Sequence, residues 1–185
     1  HYNVAVEVLG HVGAALRSIG ELAEPQQGHP AAGVRMAIID DIGEYAEDQG
    51  FPMKPQKICW DIRQALPPEA IVISDVGAHK LWIARLFEAE RPNTCIISNG
   101  FAAMGIAVPG AIAAKLALPE RRVVAVSGDG GFLMNVQDLE TAARLKLNVV
   151  NMVWLDGEYG LIKWKQQNQF GVKHSELKFT NPDFE

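Results

Sequence analysis

Apolar and polar positions fall into two repeating patterns along the chain, and the clearest example runs from Arg121 to Trp164. Val123 to Ser127 is a short apolar, β-branched run, the mark of a buried strand. Gly128-Asp129-Gly130-Gly131 breaks that run abruptly. Val136, Leu139, Ala142, Ala143 and Leu145 then recur at helical spacing, which predicts a helix over Val136 to Lys146. Asn135, with Asp138 three residues on, is its predicted N-cap in a weak capping-box arrangement. Val149 to Leu155 reads as a second buried strand, ending at Asp156-Gly157-Glu158-Tyr159-Gly160. Strand, helix and strand make one βαβ unit, whose strands should be parallel and joined by a right-handed crossover.

The same patterns extend upstream. Pro55 to Leu66 predicts a helix that buries Ile58, Cys59, Ile62 and Leu66, stopped by Pro67-Pro68. Ile71 to Ser74 is a buried strand followed by Asp75-Val76-Gly77-Ala78-His79, and Cys95 to Ile97 is another short strand. Ser98 to Gly105 leads into a small-residue helix ending near Leu118. Nearer the start, Val34 to Gln49 predicts an amphipathic helix with Ile38, Ile39, Ile42, Tyr45 and Ala46 on one face, and Glu24 to Gly33 has linker composition. Val4 to Leu9 predicts a strand and His11 to Ile19 a short helix. Phe170 to Phe179 reads as a loop and Asn181-Pro182-Asp183 as the start of a further helix. The predicted fold class is α/β. A doubly wound parallel sheet with helices on both faces occupies residues 51–185, truncated at its C-terminus. It follows a linker and connecting helix over 21–50 and the tail of a preceding domain over 1–20.

Composition narrows the setting. The 185 residues are 48% hydrophobic, with a mean hydropathy of +0.01, as for a globular chain. A net charge of −5 and the lack of any basic run argue against a nucleic-acid surface. No apolar stretch reaches transmembrane length and no signal peptide opens the chain, so the expected location is cytoplasmic, away from membranes. Cys59 and Cys95 lack metal-binding spacing and read as reduced, buried thiols.

The chemistry lies in the βαβ unit. Asp129 and Asp156 each follow a predicted parallel strand; neighbouring strands lie about 5 Å apart. Both carboxylates would then emerge at one sheet edge, where open α/β sheets bind ligands. Two carboxylates, a freed loop carbonyl and phosphate oxygens suit a hard octahedral cation such as magnesium. The glycines beside Asp129 let backbone N–H groups approach a phosphate closely. The plain alternative is a loop acid capping a helix and a second acid in a turn. Pairing of the two acids on one βαβ unit favours the clamp.

Gly128-Asp129-Gly130, with Leu155-Asp156 downstream, resembles the GDG…NN motif of thiamine diphosphate enzymes. The wording GDGGFLMN, QDLETAARLKLNVV and YGLIKWKQ is most similar to acetolactate synthases. Leu155-Asp156 stands where that family usually has Asn-Asn; Asp at the second position resembles the catabolic, flavin-independent members. DVGAHKLWIARLF is similar to the family's DVGQHQMWAAQ, which implies that Gly77 and His79 contact the diphosphate while Asp75 supports the loop. Ala78 replaces the family's Gln, removing one expected hydrogen bond. The segment after Ile97 is similar to SGGLGAMGFGLPAAIGAK, implying that backbone groups at Ala102 and Met104 bind the aminopyrimidine and that the Met104 side chain props the cofactor into a bent shape. Ala102 replaces a family Gly, and its carbonyl contact survives that change only with a negative φ.

The resemblance thus implies cofactor binding by Gly77, His79, Ala102, Met104, Gly128, Asp129, Gly130, Gly131, Asp156, Glu158, Tyr159 and Gly160. Asp129, Asp156 and Glu158 are the implied magnesium ligands. The family's channel tryptophan aligns with Lys165, so Trp164 takes no substrate role. The implied reaction is decarboxylation of pyruvate and transfer of the two-carbon unit to a second 2-oxo acid. In this family the activating glutamate sits on a pyrimidine domain of the partner subunit, within a homodimer or homotetramer. This chain carries no counterpart, so no catalytic residue is assigned and the chain alone should be inactive. Another carboligase or decarboxylase of the family, or a non-catalytic thiamine diphosphate-binding or dimerisation module, would carry the same clamp. A nucleotide-binding α/β domain fits less well, because neither G-x-G-x-x-G nor a P-loop occurs.

Overall fold

A computed structural model of the chain describes residues 3–24, 28, 31–171 and 176–184. The chain divides into two compact units, residues 1–35 and 36–185. In the first, helix α1 spans Val12–Leu22 and buries none of its residues. The strand predicted over Val4 to Leu9 does not form: these residues are exposed and pair with no strand. A β-branched run makes a strand only where a neighbour supplies the ladder. Helix α2, Ala32–Gly43, carries the boundary between the units and is shorter than the predicted span to Gln49, giving way to turns after Gly43.

The second unit is built on four parallel strands, β1 (Ile71–Ser74), β2 (Cys95–Ile97), β3 (Val123–Gly128) and β4 (Val150–Trp154), in the order β2-β1-β3-β4. Registers are Ser74 with Val126 across β1–β3, and Gly128 with Trp154 across β3–β4. Successive side chains alternate between two apolar faces, which is why β1 and β3 read as continuous hydrophobic runs. One face joins Val72, Val124 and Val126 to Ile42 and to Cys59 and Ile62 of helix α3 (Pro55–Ala65). Ile83 and Leu86 of helix α4 (Ala78–Leu86) complete that layer. The other face sets Ile71, Ile73, Val123 and Ala125 against Ala107 and Ala111 of helix α5 (Ala107–Ala117). The small residues of α5 allow this close approach: a Cβ on Gly110 would lie 3.3 Å from Ile73.

The β3–β4 crossover departs from its predicted form. Instead of one helix from Val136, Asp129–Met134 forms helix α6 directly after β3, a 3-10 turn follows at Val136–Asp138, and helix α7 is Leu139–Arg144. Asn135 makes no capping bond; its side-chain amide donates to the Gly105 carbonyl at 2.8 Å instead. Beyond β4 lie helix α8 (Gly160–Gln169) and a final stretch, residues 176–184, that contains no helix. The helix start predicted at Asn181 to Asp183 is therefore absent, and part of the predicted loop Phe170 to Phe179 lies outside the described residues.

Candidate functional site

Asp75, Asp129 and Asp156 all follow parallel strands, so the sheet delivers them to one edge. Asp75 is fully buried, and its backbone N–H extends the ladder to the Val126 carbonyl. Its Oδ1 accepts the N–H groups of Val76 at 2.6 Å and Gly105 at 2.8 Å; its Oδ2 accepts those of Gly105 at 3.0 Å and Ala107 at 3.3 Å. Asp75 thus fixes the turn that launches α5. Gly105 has φ +89°, and a Cβ there would come within 2.7 Å of the Asn135 amide. This position requires glycine on both counts.

Asp129 is the most heavily bonded of the three. It is 2% exposed. Its Oδ1 accepts the Gly130 N–H at 2.8 Å. Its Oδ2 accepts the N–H groups of Asp156 at 3.2 Å and Gly157 at 2.8 Å, and the side-chain amide of Asn181 at 2.8 Å. The first acid therefore holds the loop that carries the second. Asp156 itself is exposed, with Oδ1 accepting the Glu158 N–H at 3.3 Å. Partial burial, and then the Asp129 and Glu158 carboxylates, raise its pKa above the ordinary aspartate value, while the Glu158 N–H pulls the other way. The Glu158 carboxylate is paired to Lys163 at 2.7 Å, and its backbone carbonyl accepts the Gly160 N–H at 3.0 Å.

A raised carboxyl pKa favours folding below the unfolded-state value of about 3.8, and that contribution is lost as pH rises through the folded-state value. At neutral pH without a cation, Asp156 is thus a small electrostatic liability. Asp156→Asn should raise the cation-free stability slightly, by on the order of a few tenths of a kcal/mol, and the gain should vanish in acid. Thermal melts across pH measure this directly.

His79 opens α4 from a buried position, with a Cβ on Gly77 falling 2.9 Å from its ring and one on Gly128 3.3 Å away. Its Nε2 is buried without a hydrogen-bond partner, and its ring centroid lies 6.1 Å from that of Trp154. Burial lowers its pKa, opposed by Asp75 and then Asp129, so the ring is held toward its neutral form. Tyr159 covers Gly130, where a Cβ would meet its ring at 2.7 Å, and its ring packs at a tilt against Phe179, 5.0 Å between centroids. Among the described residues no three His, Cys, Asp or Glu side chains stand together as a metal set. A cation at this edge would have two carboxylates and backbone to meet, and would need further oxygens from a ligand or water.

Residues 75–185 match the family described as thiamine pyrophosphate enzyme, C-terminal TPP binding domain. The chain belongs to that family. An acetolactate synthase of Bacillus subtilis is 33% identical over 98% of this chain and 33% of its own length. A catabolic acetolactate synthase of Raoultella terrigena is 32% identical over 100% of the chain and 34% of its own length. A pyruvate oxidase of Lactiplantibacillus plantarum is 39% identical over 72% of the chain and 23% of its own length. The chain thus spans about a third of the length of its first two relatives.

The TPP-binding domain fits its cofactor on local grounds. The buried, unpartnered His79 Nε2 suits a phosphate, and a cation would relieve the crowding of carboxylates around Asp156. Gly128, Gly130 and Gly131 open α6 behind Asp129, and a Cβ on Gly131 would lie 3.2 Å from the Asp75 carboxylate. Ala102 and Met104 sit on the turn that Asp75 and Asn135 secure. Ala102 has φ +52°, the left-handed region, so the condition of a negative φ for its carbonyl contact is not met. An alanine there is strained by about 1 kcal/mol relative to glycine. Ala102→Gly is expected to raise stability by a similar amount, read by chemical denaturation.

Asn181 was invisible to motif reasoning. Residues 176–184 form a strap across the loop after β4: the Tyr159 N–H donates to the Leu177 carbonyl at 3.0 Å and the Phe179 N–H to the Gly157 carbonyl at 2.9 Å. Phe184 closes the strap edge-on against Phe132 of α6, at 5.5 Å between centroids. The only sequence signal was a polar residue before Pro182, which reads locally as a helix start. The largely apolar cavity beside the strap, lined by Phe132, Leu139, Val153, Leu155 and Phe184, has Asn151 and Asp183 as its polar members and no basic side chain to meet a diphosphate. Among the described residues no helix is long and apolar enough to cross a membrane.

Proposed function

We propose that this chain holds thiamine diphosphate through a magnesium ion, within an acetolactate synthase-like protein that decarboxylates pyruvate and transfers the two-carbon unit to a second 2-oxo acid. The observation that supports this best is the link between the two acids: the Asp129 carboxylate accepts the Asp156 and Gly157 N–H groups, so both acids face one edge of neighbouring strands. In this reading the Asp129 and Asp156 carboxylates and the Glu158 carbonyl hold the cation. His79 and the backbone of Gly77, Gly128, Gly130 and Gly131 hold the diphosphate. Met104 lies against the aminopyrimidine, and Tyr159 and Gly160 close the loop over the phosphates. When bound, the cofactor's thiazolium supplies an electron sink for the decarboxylation. The protein's part is to anchor, bend and orient it. The intact protein would be a homodimer or homotetramer, located in the cytoplasm, with the activating glutamate on a partner's pyrimidine domain.

Identity to the pyruvate oxidase, 39% over the shared stretch, favours a second reading in which pyruvate is oxidised. The test is the intact protein incubated with pyruvate, thiamine diphosphate and magnesium. Acetolactate as the product supports the first reading. Pyruvate consumption that depends on an electron acceptor and yields no acetolactate would replace it with the second.

A further inference from the structure

We infer that Asn181 is a positioning residue of the cation site, a role that rests on the magnesium–diphosphate reading above. Its side-chain amide has one group bonded and one open. The Nδ2 group donates to Asp129 Oδ2 at 2.8 Å, and the Oδ1 atom is buried without a partner. Asp129 Oδ2 is already shared by the N–H groups of Asp156 and Gly157. Those two donors belong to a tight backbone loop in which Gly157 has φ +66°. Among the described residues Asn181 is the one side-chain donor to that oxygen, and so the one that can turn or withdraw without unfolding a loop.

The orphan oxygen decides what the amide is for. A buried acceptor without a partner is costly and calls for a water or an ion. Oδ1 and Nδ2 share one carbon, so the orphan acceptor lies within an amide's width of the nitrogen bonded to Asp129. A cation held by Asp129 brings ordered water, and the Asn181 oxygen is placed to accept from it. Asn181 thus holds the Asp129 carboxylate in orientation through its N–H and the cation's water shell through its oxygen. The strap supplies the rigidity: two backbone hydrogen bonds, from Tyr159 to Leu177 and from Phe179 to Gly157, fasten it to the loop after β4. Leu177, a residue of the strap itself, is buried.

The experiment uses the intact protein. Thiamine diphosphate binding is followed calorimetrically as magnesium is raised, and manganese affinity is read by electron paramagnetic resonance. Wild type, Asn181→Ala and Asn181→Asp are compared, each with its melting temperature. Asn181→Ala loses both functions and should raise the half-saturating magnesium concentration by at least about 10-fold. Asn181→Asp keeps an oxygen but replaces the donor with a charge, so its half-saturating magnesium should lie clearly below that of Asn181→Ala while its cation-free melting temperature falls. A lower melting temperature for Asn181→Ala with unchanged cation dependence would overturn the inference and leave a structural bond only. An Asp variant as impaired toward magnesium and manganese as the Ala variant would overturn the role of the oxygen. If wild type binds the cofactor without regard to magnesium, the underlying reading fails instead.

Discussion

Asp129→Ala is expected to destabilise the chain by at least about 3 kcal/mol and to abolish magnesium-dependent cofactor binding. Four N–H donors end on that buried carboxylate, from Gly130, Asp156, Gly157 and Asn181. Each buried donor left without a partner costs about 1–3 kcal/mol, and some of the four will regain water because the Asp156 loop is exposed. The substitution also releases the loop that carries Asp156, so both candidate ligands are lost together. Denaturant unfolding and a cofactor titration measure the two effects separately. A loss below about 1 kcal/mol would mean that the four bonds are replaceable and that Asp129 does not organise the edge.

Asp75→Asn should be nearly as severe, about 2–3 kcal/mol, although the change is isosteric. Both Asp75 oxygens accept backbone N–H groups, with Gly105 shared between them. An amide must turn its NH2 toward one set, either Val76 and Gly105 or Gly105 and Ala107, and set donor against donor. The damage would fall first on the turn from Ala102 to Ala107. Cofactor affinity should therefore drop even though Asp75 touches neither cation nor phosphate in the proposed site. Hydrogen exchange localises the effect: faster exchange at Gly105 and Ala107 with protected β1 is the expected pattern, and unchanged exchange there would contradict it.

Much of this was legible in the sequence, for physical reasons that can be named. Val123 to Ser127 and Ile71 to Ser74 are apolar on both faces because helices cover both faces of the sheet, and each run begins and ends where the structure has it to within a residue. A parallel sheet then forces the residues after those strands to one edge, so Asp75, Asp129 and Asp156 came together from connectivity alone. What stayed hidden depended on contacts distant in sequence. Asn135 has the local look of a helix cap, yet Gly105, thirty residues away, takes its amide. Asn181 looked like the start of a helix because nothing nearby shows that Asp129, fifty-two residues back, accepts its amide. Val4 to Leu9 has strand composition but no strand to pair with. The φ of Ala102 is set by the surrounding turn, and a residue type alone does not report it.

The Asp156 carboxylate tests the clamp most directly, because it stands where the family pattern has Asn and is exposed enough to change without unfolding the sheet. The measurement is a thiamine diphosphate titration of the intact protein, with and without magnesium, for wild type, Asp156→Asn and Asp156→Ala. Asp156→Asn keeps a ligand oxygen and should retain magnesium-dependent binding. Asp156→Ala removes that oxygen and should weaken binding by about 10–100-fold, the lower bound corresponding to about 1.4 kcal/mol. If Asp156→Ala binds the cofactor as tightly as wild type, with the same magnesium dependence, Asp156 is not a ligand and the edge is not a cation–diphosphate clamp.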